Sequence, residues 1–168
     1  MSLRFARAAL NDPQVVALLD HHMREAHRNS PPGSVFALDL SGLAHPDIAL
    51  WAAWNENALA GLGALKRLPA EHGELKSMRT APACLRQGVG RAMLAHLISE
   101  ARAAGFTRVS LETGANDAFA AARAMYEAAG FNPCAPFGDY TLTEFNRCYS
   151  LDLVDPNGDR CAVTGLAT

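Results

Sequence analysis

Leu85-Arg86-Gln87-Gly88-Val89-Gly90-Arg91-Ala92 is the stretch on which the fold and chemistry of this chain turn. It follows a strand-like segment and opens a strongly periodic run. In that run Val89, Met93, Leu94, Leu97, Ile98 and Ala101 predict an amphipathic helix with Arg91, Glu100 and Arg102 kept polar. Glycines at 88 and 90 let backbone amides approach a ligand closely. A helix N-terminus adds free N–H groups and roughly half a unit of positive charge. Arg86 and Arg91 are placed to add charge-assisted bonds to phosphate oxygens. A pyrophosphate suits this pattern, and so does a plain glycine-containing turn with two solvated arginines. A Rossmann fingerprint is excluded, because Met93 occupies the place of its third glycine. Neither the Gly-Lys-Ser/Thr of a Walker loop nor a Gly-x-Ser-x-Gly elbow occurs.

Outward from this loop, no internal repeat, low-complexity stretch or long linker interrupts the chain. Upstream, Ile48 to Trp54 and Ala58 to Leu65 are apolar runs around the turn Asn55-Glu56-Asn57, a hairpin signal. Glu74-Leu75-Lys76-Ser77-Met78 reads as the third strand of the meander. Strict alternation would put Glu74, Lys76 and Met78 on one face and Leu75 and Ser77 on the other. Nearer the N-terminus, Leu3 to Arg7 reads as a short strand. Asp12 before Pro13 starts a helix bearing Val15, Val16, Leu18, Leu19, His22, Met23 and Ala26 at helical spacing. Ser30-Pro31-Pro32-Gly33 breaks it, and a second short helical piece is expected from Val35 to Leu43.

Downstream, Gly105 stands where a left-handed cap is expected, and Thr107 to Glu112 alternates as a strand. Phe119, Ala122, Met125, Tyr126 and Ala129 mark another helix, stopped by Gly130. Strands around Phe131 and from Phe145 to Leu153 complete the order. The fold class is α+β or mixed α/β: a mixed sheet with helices on its faces and no regular βαβ alternation. A single domain is expected over 1–154, with 155–168 as a loosely held C-terminal extension.

Composition removes several functions. The 168 residues, 49% hydrophobic and 19% charged, suit one domain burying its own core without disulfide or metal. Fifteen Lys+Arg against 17 Asp+Glu leave a net charge of −2, which argues against a nonspecific nucleic-acid or membrane-surface binder. No apolar run is long enough for a spanning helix, and Met1 to Phe5 leads straight into a patterned segment, so a cytoplasmic protein is expected. Cys84, Cys134, Cys148 and Cys161 form no C-x-x-C pair, and no H-E-x-x-H occurs, so no metal is expected.

Three pieces in this order carry a family resemblance from about Leu50 to Phe131: Glu74-Leu75-Lys76-Ser77-Met78-Arg79-Thr80, Gln87-Gly88-Val89-Gly90-Arg91-Ala92-Met93-Leu94, and Ala124-Met125-Tyr126-Glu127-Ala128-Ala129-Gly130-Phe131. Together they resemble the GNAT superfamily of acyl-CoA-dependent N-acetyltransferases. The resemblance implies a mixed, mostly antiparallel central sheet with helices on both faces, and acetyl-CoA as co-substrate. It places the CoA pyrophosphate on the amides of the loop Leu85 to Gly90, with Arg86, Gln87, Gly88, Val89, Gly90, Arg91 and Ala92 as its surroundings. It pairs the strand from Ser77 to Thr80 with the pantetheine arm, through Met78, Arg79 and Thr80. Tyr126 matches a tyrosine that faces the departing sulfur in many members. One departure is plain: Leu85 stands where the family usually has Gln or Arg, and Arg86 where many members have Gly.

The residue types suit that chemistry. A lysine-like amine has a pKa of about 10.4 and must lose a proton before attacking a thioester. Glu74 is the candidate base, or else an exposed strand carboxylate paired with Lys76. The departing thiolate, with a conjugate-acid pKa of roughly 8.5 by analogy with cysteine, calls for a donor. Tyr126 is the candidate, with a buried core tyrosine as the competing interpretation. The Met78 amide is the natural donor to the carbonyl oxygen. His22, Glu25, Asp139 and Tyr140 are polar residues that would either line the acceptor mouth or lie on plain surface, while Trp51 and Trp54 are assigned to packing. The expected function is direct acetyl transfer from acetyl-CoA to a primary amine of a small molecule, peptide or protein, with no nucleic-acid or membrane partner and a homodimer as an option. The alternatives are a non-catalytic acyl-CoA sensor and an interaction module on the same fold.

Overall fold

The apolar runs of the sequence assemble into one seven-stranded sheet, in the order β1-β2-β3-β4-β5-β7-β6. The computed structural model describes residues 1–155 and 157–159. Its strands are β1 (Leu3–Arg7), β2 (Ile48–Asn55), β3 (Ala58–Leu68), β4 (His72–Thr80), β5 (Arg108–Gly114), β6 (Asn132–Pro133) and β7 (Asn146–Asp152). Only β4 and β5 pair in parallel; every other neighbour is antiparallel. The helices are α1 (Pro13–Asn29), α2 (Leu40–Leu43), α3 (Val89–Ala103) and α4 (Ala120–Ala128). The mixed, mostly antiparallel sheet with helices on both faces is therefore present as expected. No helix among the described residues is long and apolar enough to cross a membrane.

Two apolar layers hold the helices to the sheet. On one face α1 and α2 bring Val15, Leu18, Leu19 and Leu43 onto Leu50, Leu59 and Leu62. On the other, Val89, Met93, Leu94, Leu97 and Ile98 of α3, with Tyr126 of α4, pack on Leu65, Leu75, Val109 and Leu111. Asp12 caps α1 as its position implied, its Oδ1 accepting from the amides of Gln14 at 2.8 Å and Val15 at 3.3 Å. Trp51 and Trp54 are packing residues on opposite layers.

Strict alternation fails in β4, and the failure shapes the molecule. The β3–β4 register jumps between Leu62↔Arg79 and Ala64↔Lys76, so two residues of β4 oppose Gly63 alone. Ser77 occupies the bulge at φ 53. Beyond it the faces exchange: Met78 joins Leu75 in the α3 layer, while Arg79 turns toward His22 of α1. Glu74 and Lys76 do share a face, as expected, but Met78 does not. Gly63 makes room for the displaced side chain. A Cβ there would lie 2.8 Å from Leu97 Cδ1 and 2.9 Å from both Met78 Sδ and Met93 Cγ.

Two expectations need correcting at the edges of the fold. The short helix expected over Val35 to Leu43 is confined to Leu40–Leu43, because Asp39 caps it by accepting from the Gly42 amide and the Ser41 hydroxyl, each at 2.8 Å. Val35 to Asp39 remains irregular, and its first part, Val35 to Ala37, runs along a cleft. The strand expected from Phe145 begins at Asn146. Of the expected extension over 155–168 only Asp155 and Asn157–Asp159 are described, so Cys161 lies outside the described residues.

Gly63→Val should lower the unfolding free energy in urea by about 1–3 kcal/mol or more through overpacking against α3; an unchanged midpoint would show that α3 does not rest on that glycine. Asp12→Ala should cost about 1 kcal/mol as a lost helix cap, measured the same way.

Candidate active site

Strands β4 and β5 pair only from His72↔Arg108 to Leu75↔Leu111 and then part. Both continue, to Thr80 and Gly114, so their facing backbone edges diverge. A cleft of about 410 Å³ opens at that point. Its walls come from β4 (Leu75 to Arg79), β5 (Leu111 to Gly114), α1 and the Ser34–Ala37 segment, with Tyr126 and Tyr140 completing them. Glycine at 114 lets the ring of Phe119 close over the end of β5, since a Cβ there would lie 2.1 Å from it.

The N-terminus of α3 stands beside the far end of β4. Gly88 is its N-cap at φ 82, and no side chain among the described residues caps the helix. Left-handed backbone is what glycine adopts without cost. The first helical bond runs from the Ala92 amide to the Gly88 carbonyl at 3.0 Å. That leaves the amides of Val89, Gly90 and Arg91 without intrahelical partners. Ala92 therefore contributes position and not a donor. Arg86 holds φ 60, a conformation that explains why glycine serves well at this place. Arg86, Gln87 and Arg91 are exposed, and Gln87 turns back to donate to the Ala83 carbonyl at 3.0 Å. A Cβ on Gly90 would lie 3.5 Å from Thr80 Oγ1 and 3.2 Å from Met125 Sδ, so the first turn of α3 abuts both β4 and α4. Free amides, exposed arginines and an unpaired strand edge together fit a diphosphate joined to an amide-bearing arm.

Tyr126 reaches the cleft from α4 while only 6% exposed, its ring edge-on to Phe131 at 5.9 Å. Burial pushes its hydroxyl pKa up to about 12, against a smaller opposing pull from Arg79. It is thus both a core tyrosine and a cleft residue. Met78 and Arg79 line the same cleft, and Ser77 between the strands keeps a buried hydroxyl with no partner among the described residues.

Glu74 sits behind the wall. It is 3% exposed and absent from the cleft surface; its Oε1 accepts from the Tyr140 hydroxyl and from Lys76 Nζ at 3.0 Å. Lys76 Nζ also donates to the Tyr140 oxygen at 2.6 Å. Tyr140 does line the cleft, and burial together with the Glu74 carboxylate holds its hydroxyl firmly protonated. Glu112, on β5, is the cleft carboxylate that sequence reasoning missed. Asn146 Nδ2 donates to it at 3.4 Å, and burial pushes its pKa up. Its only sequence signal was alternation with buried Leu111. Of the other mouth candidates, His22 and Glu25 line the cleft, whereas Asp139 is exposed outside it. Arg79 Nε donates to His22 Nδ1 at 3.2 Å. Burial, with help from the Arg79 charge, lowers the His22 pKa to about 4.

The sequence pattern of the Acetyltransferase (GNAT) family matches residues 13–131. Over 131 residues the chain is 48% identical to the uncharacterised N-acetyltransferase YsnE of Bacillus subtilis (strain 168), covering 78% of this chain and 87% of that one. It is 44% identical over 148 residues to the uncharacterised N-acetyltransferase YedL of Escherichia coli (strain K12), covering 88% and 93%. Its fold superposes on a Bacillus subtilis acetyltransferase solved in complex with CoA, with a TM-score of 0.69 at 16% identity over 91% of this chain and all of that one. On this match and these relatives, the chain belongs to the GNAT family of acetyltransferases.

Proposed function

We propose that the protein moves an acetyl group from acetyl-CoA directly to a primary amine. The observation that carries this reading is the parting of β4 from β5 beside the uncapped N-terminus of α3. Acetyl-CoA supplies the activated acyl group as a thioester. The amides of Val89, Gly90 and Arg91 bind its diphosphate, and the free edge of β4 from Met78 to Thr80 takes its amide-rich arm as an added strand would. The Met78 amide is the donor placed at the reacting carbonyl.

The proton traffic follows from the walls. Glu74 does not reach the cleft, so in this reading it acts through Tyr140. The acceptor amine gives a proton to the Tyr140 oxygen as the Tyr140 hydroxyl proton passes to Glu74, which keeps charge and protons balanced. Lys76 holds both groups in place. At the departing sulfur, Tyr126 is a donor. Its raised pKa leaves it protonated at working pH and makes hydrogen-bond donation to the thiolate easier than full transfer. No cysteine is needed as a nucleophile: burial pushes the Cys148 thiol up to about 11, away from the thiolate form that attacks.

An amine panel with acetyl-CoA, followed by free-thiol release, tests the reading: amine-dependent release is expected. CoA binding without release from any amine would make the protein a sensor instead. Gly88→Glu should weaken CoA binding by about tenfold or more, as charge-assisted bonds to the loop are lost, with calorimetry as the measure. Tyr126→Phe should lower kcat by about a hundredfold with little change in CoA affinity; a wild-type rate would return Tyr126 to the core alone. His22 binds its proton more weakly folded, at a pKa of about 4, than unfolded, at 6.5. Its contribution to stability is thus full above pH 6.5 and lost as pH falls toward 4. His22→Asn should flatten that part of the stability–pH curve.

A further inference from the structure

Arg79 is the cleft's unexplained charge. It is half-buried on β4, turned by the Ser77 bulge onto the α1 side, and it lines the cleft. Its Nε donates to neutral His22, and no carboxylate pairs with it among the described residues. Burial accordingly lowers its affinity for its proton, with Glu25 only partly restoring it. Other charges of the cleft are paired: Lys76 with Glu74, and the carboxylate of Glu25 with Arg28 at 3.2 Å. A guanidinium taken out of water without an anion is costly, and its fork of donors matches a carboxylate. On β5 the opposite charge is left over. Glu112 has an amide donor from Asn146 but no ion-pair partner among the described residues.

We infer that the acceptor is an amine that also carries a carboxylate, which Arg79 receives while the amine end lies toward Glu112 and Tyr140. The two leftover charges of the cleft then complement a zwitterion, and binding it restores to Arg79 the anion it lacks. Phe36 and Phe145, partly exposed on the cleft wall, suit an acceptor with an apolar side chain. This inference rests on the acetyl-transfer reading and names the class of its acceptor.

Matched acceptors test it: phenylalanine against phenethylamine, and leucine against isoamylamine, with acetyl-CoA and thiol release as the readout. Each amino acid should exceed its decarboxylated partner in kcat/KM by about tenfold or more, the worth of a hydrogen-bonded charge. Arg79→Gln should shrink that ratio toward one, mainly by raising KM for the amino acid, and Arg79→Lys should restore part of it. Calorimetry with CoA accompanies each variant, as a check on folding and on the cofactor site. Equal or better turnover of the decarboxylated amines would overturn the inference and leave acetyl transfer standing. So would Arg79→Gln weakening CoA binding while sparing the ratio, which would assign Arg79 to the cofactor. No release with any amine would overturn the acetyl-transfer reading, and this inference with it.

Discussion

A backbone edge with nothing to pair against is the constraint from which the site grows. A parallel pair buries its ladder by continuing it, yet β4 and β5 stop pairing at Leu75 and Leu111 while both strands run on. The bulge at Ser77 twists β4 away at the place where the ladder ends. Unpaired amides and carbonyls inside a fold are costly unless another hydrogen-bonding chain supplies partners. An extended arm bearing amide groups is such a chain. Gly63 makes the twist possible, because any side chain there would collide with Met78 as it swings under α3.

The same bulge distributes the chemistry. Before it, Glu74 and Lys76 point to one wall and meet Tyr140; after it, Met78 drops into the α3 layer and Arg79 emerges beside α1. One inserted residue thus turns Arg79 onto the α1 side, the side of Glu74 and Lys76, so that a group able to take a proton and a cation able to hold an anion serve the same cleft. On the proposed cofactor side α4 carries Tyr126, and α3 begins without a side-chain cap among the described residues, which leaves its first amides open to a ligand. Parted strands, a bare helix terminus and opposed charges lie around one opening, and the proposed acetyl transfer to a zwitterionic amine would use each of them.

Much of this was legible in the residues. Asp12-Pro13 marked the start of α1, Gly105 and Gly130 adopt the left-handed turns that end α3 and α4, and the Gly88-Val89-Gly90 start of α3 was visible from spacing alone. What was hidden depends on contacts far apart in the chain. The bulge at Ser77 has no local mark, because the room it needs is left by Gly63 on the neighbouring strand, so the face of Met78 was assigned wrongly by alternation. The burial of Glu74 behind Tyr140, 66 positions later, is likewise a tertiary fact. Glu112 was passed over because a carboxylate alternating with Leu111 looks like any strand residue on a solvated face, until β5 parts from β4.

Amide hydrogen exchange, read residue by residue with and without CoA, tests the central claim most directly. If the cofactor completes the broken ladder and seats its diphosphate on α3, the β4 amides that face the parted edge, those of Met78 and Thr80, and those of Val89, Gly90 and Arg91 will slow markedly on binding, ahead of all others. CoA that binds yet leaves both sets exchanging at their free rates would contradict the account.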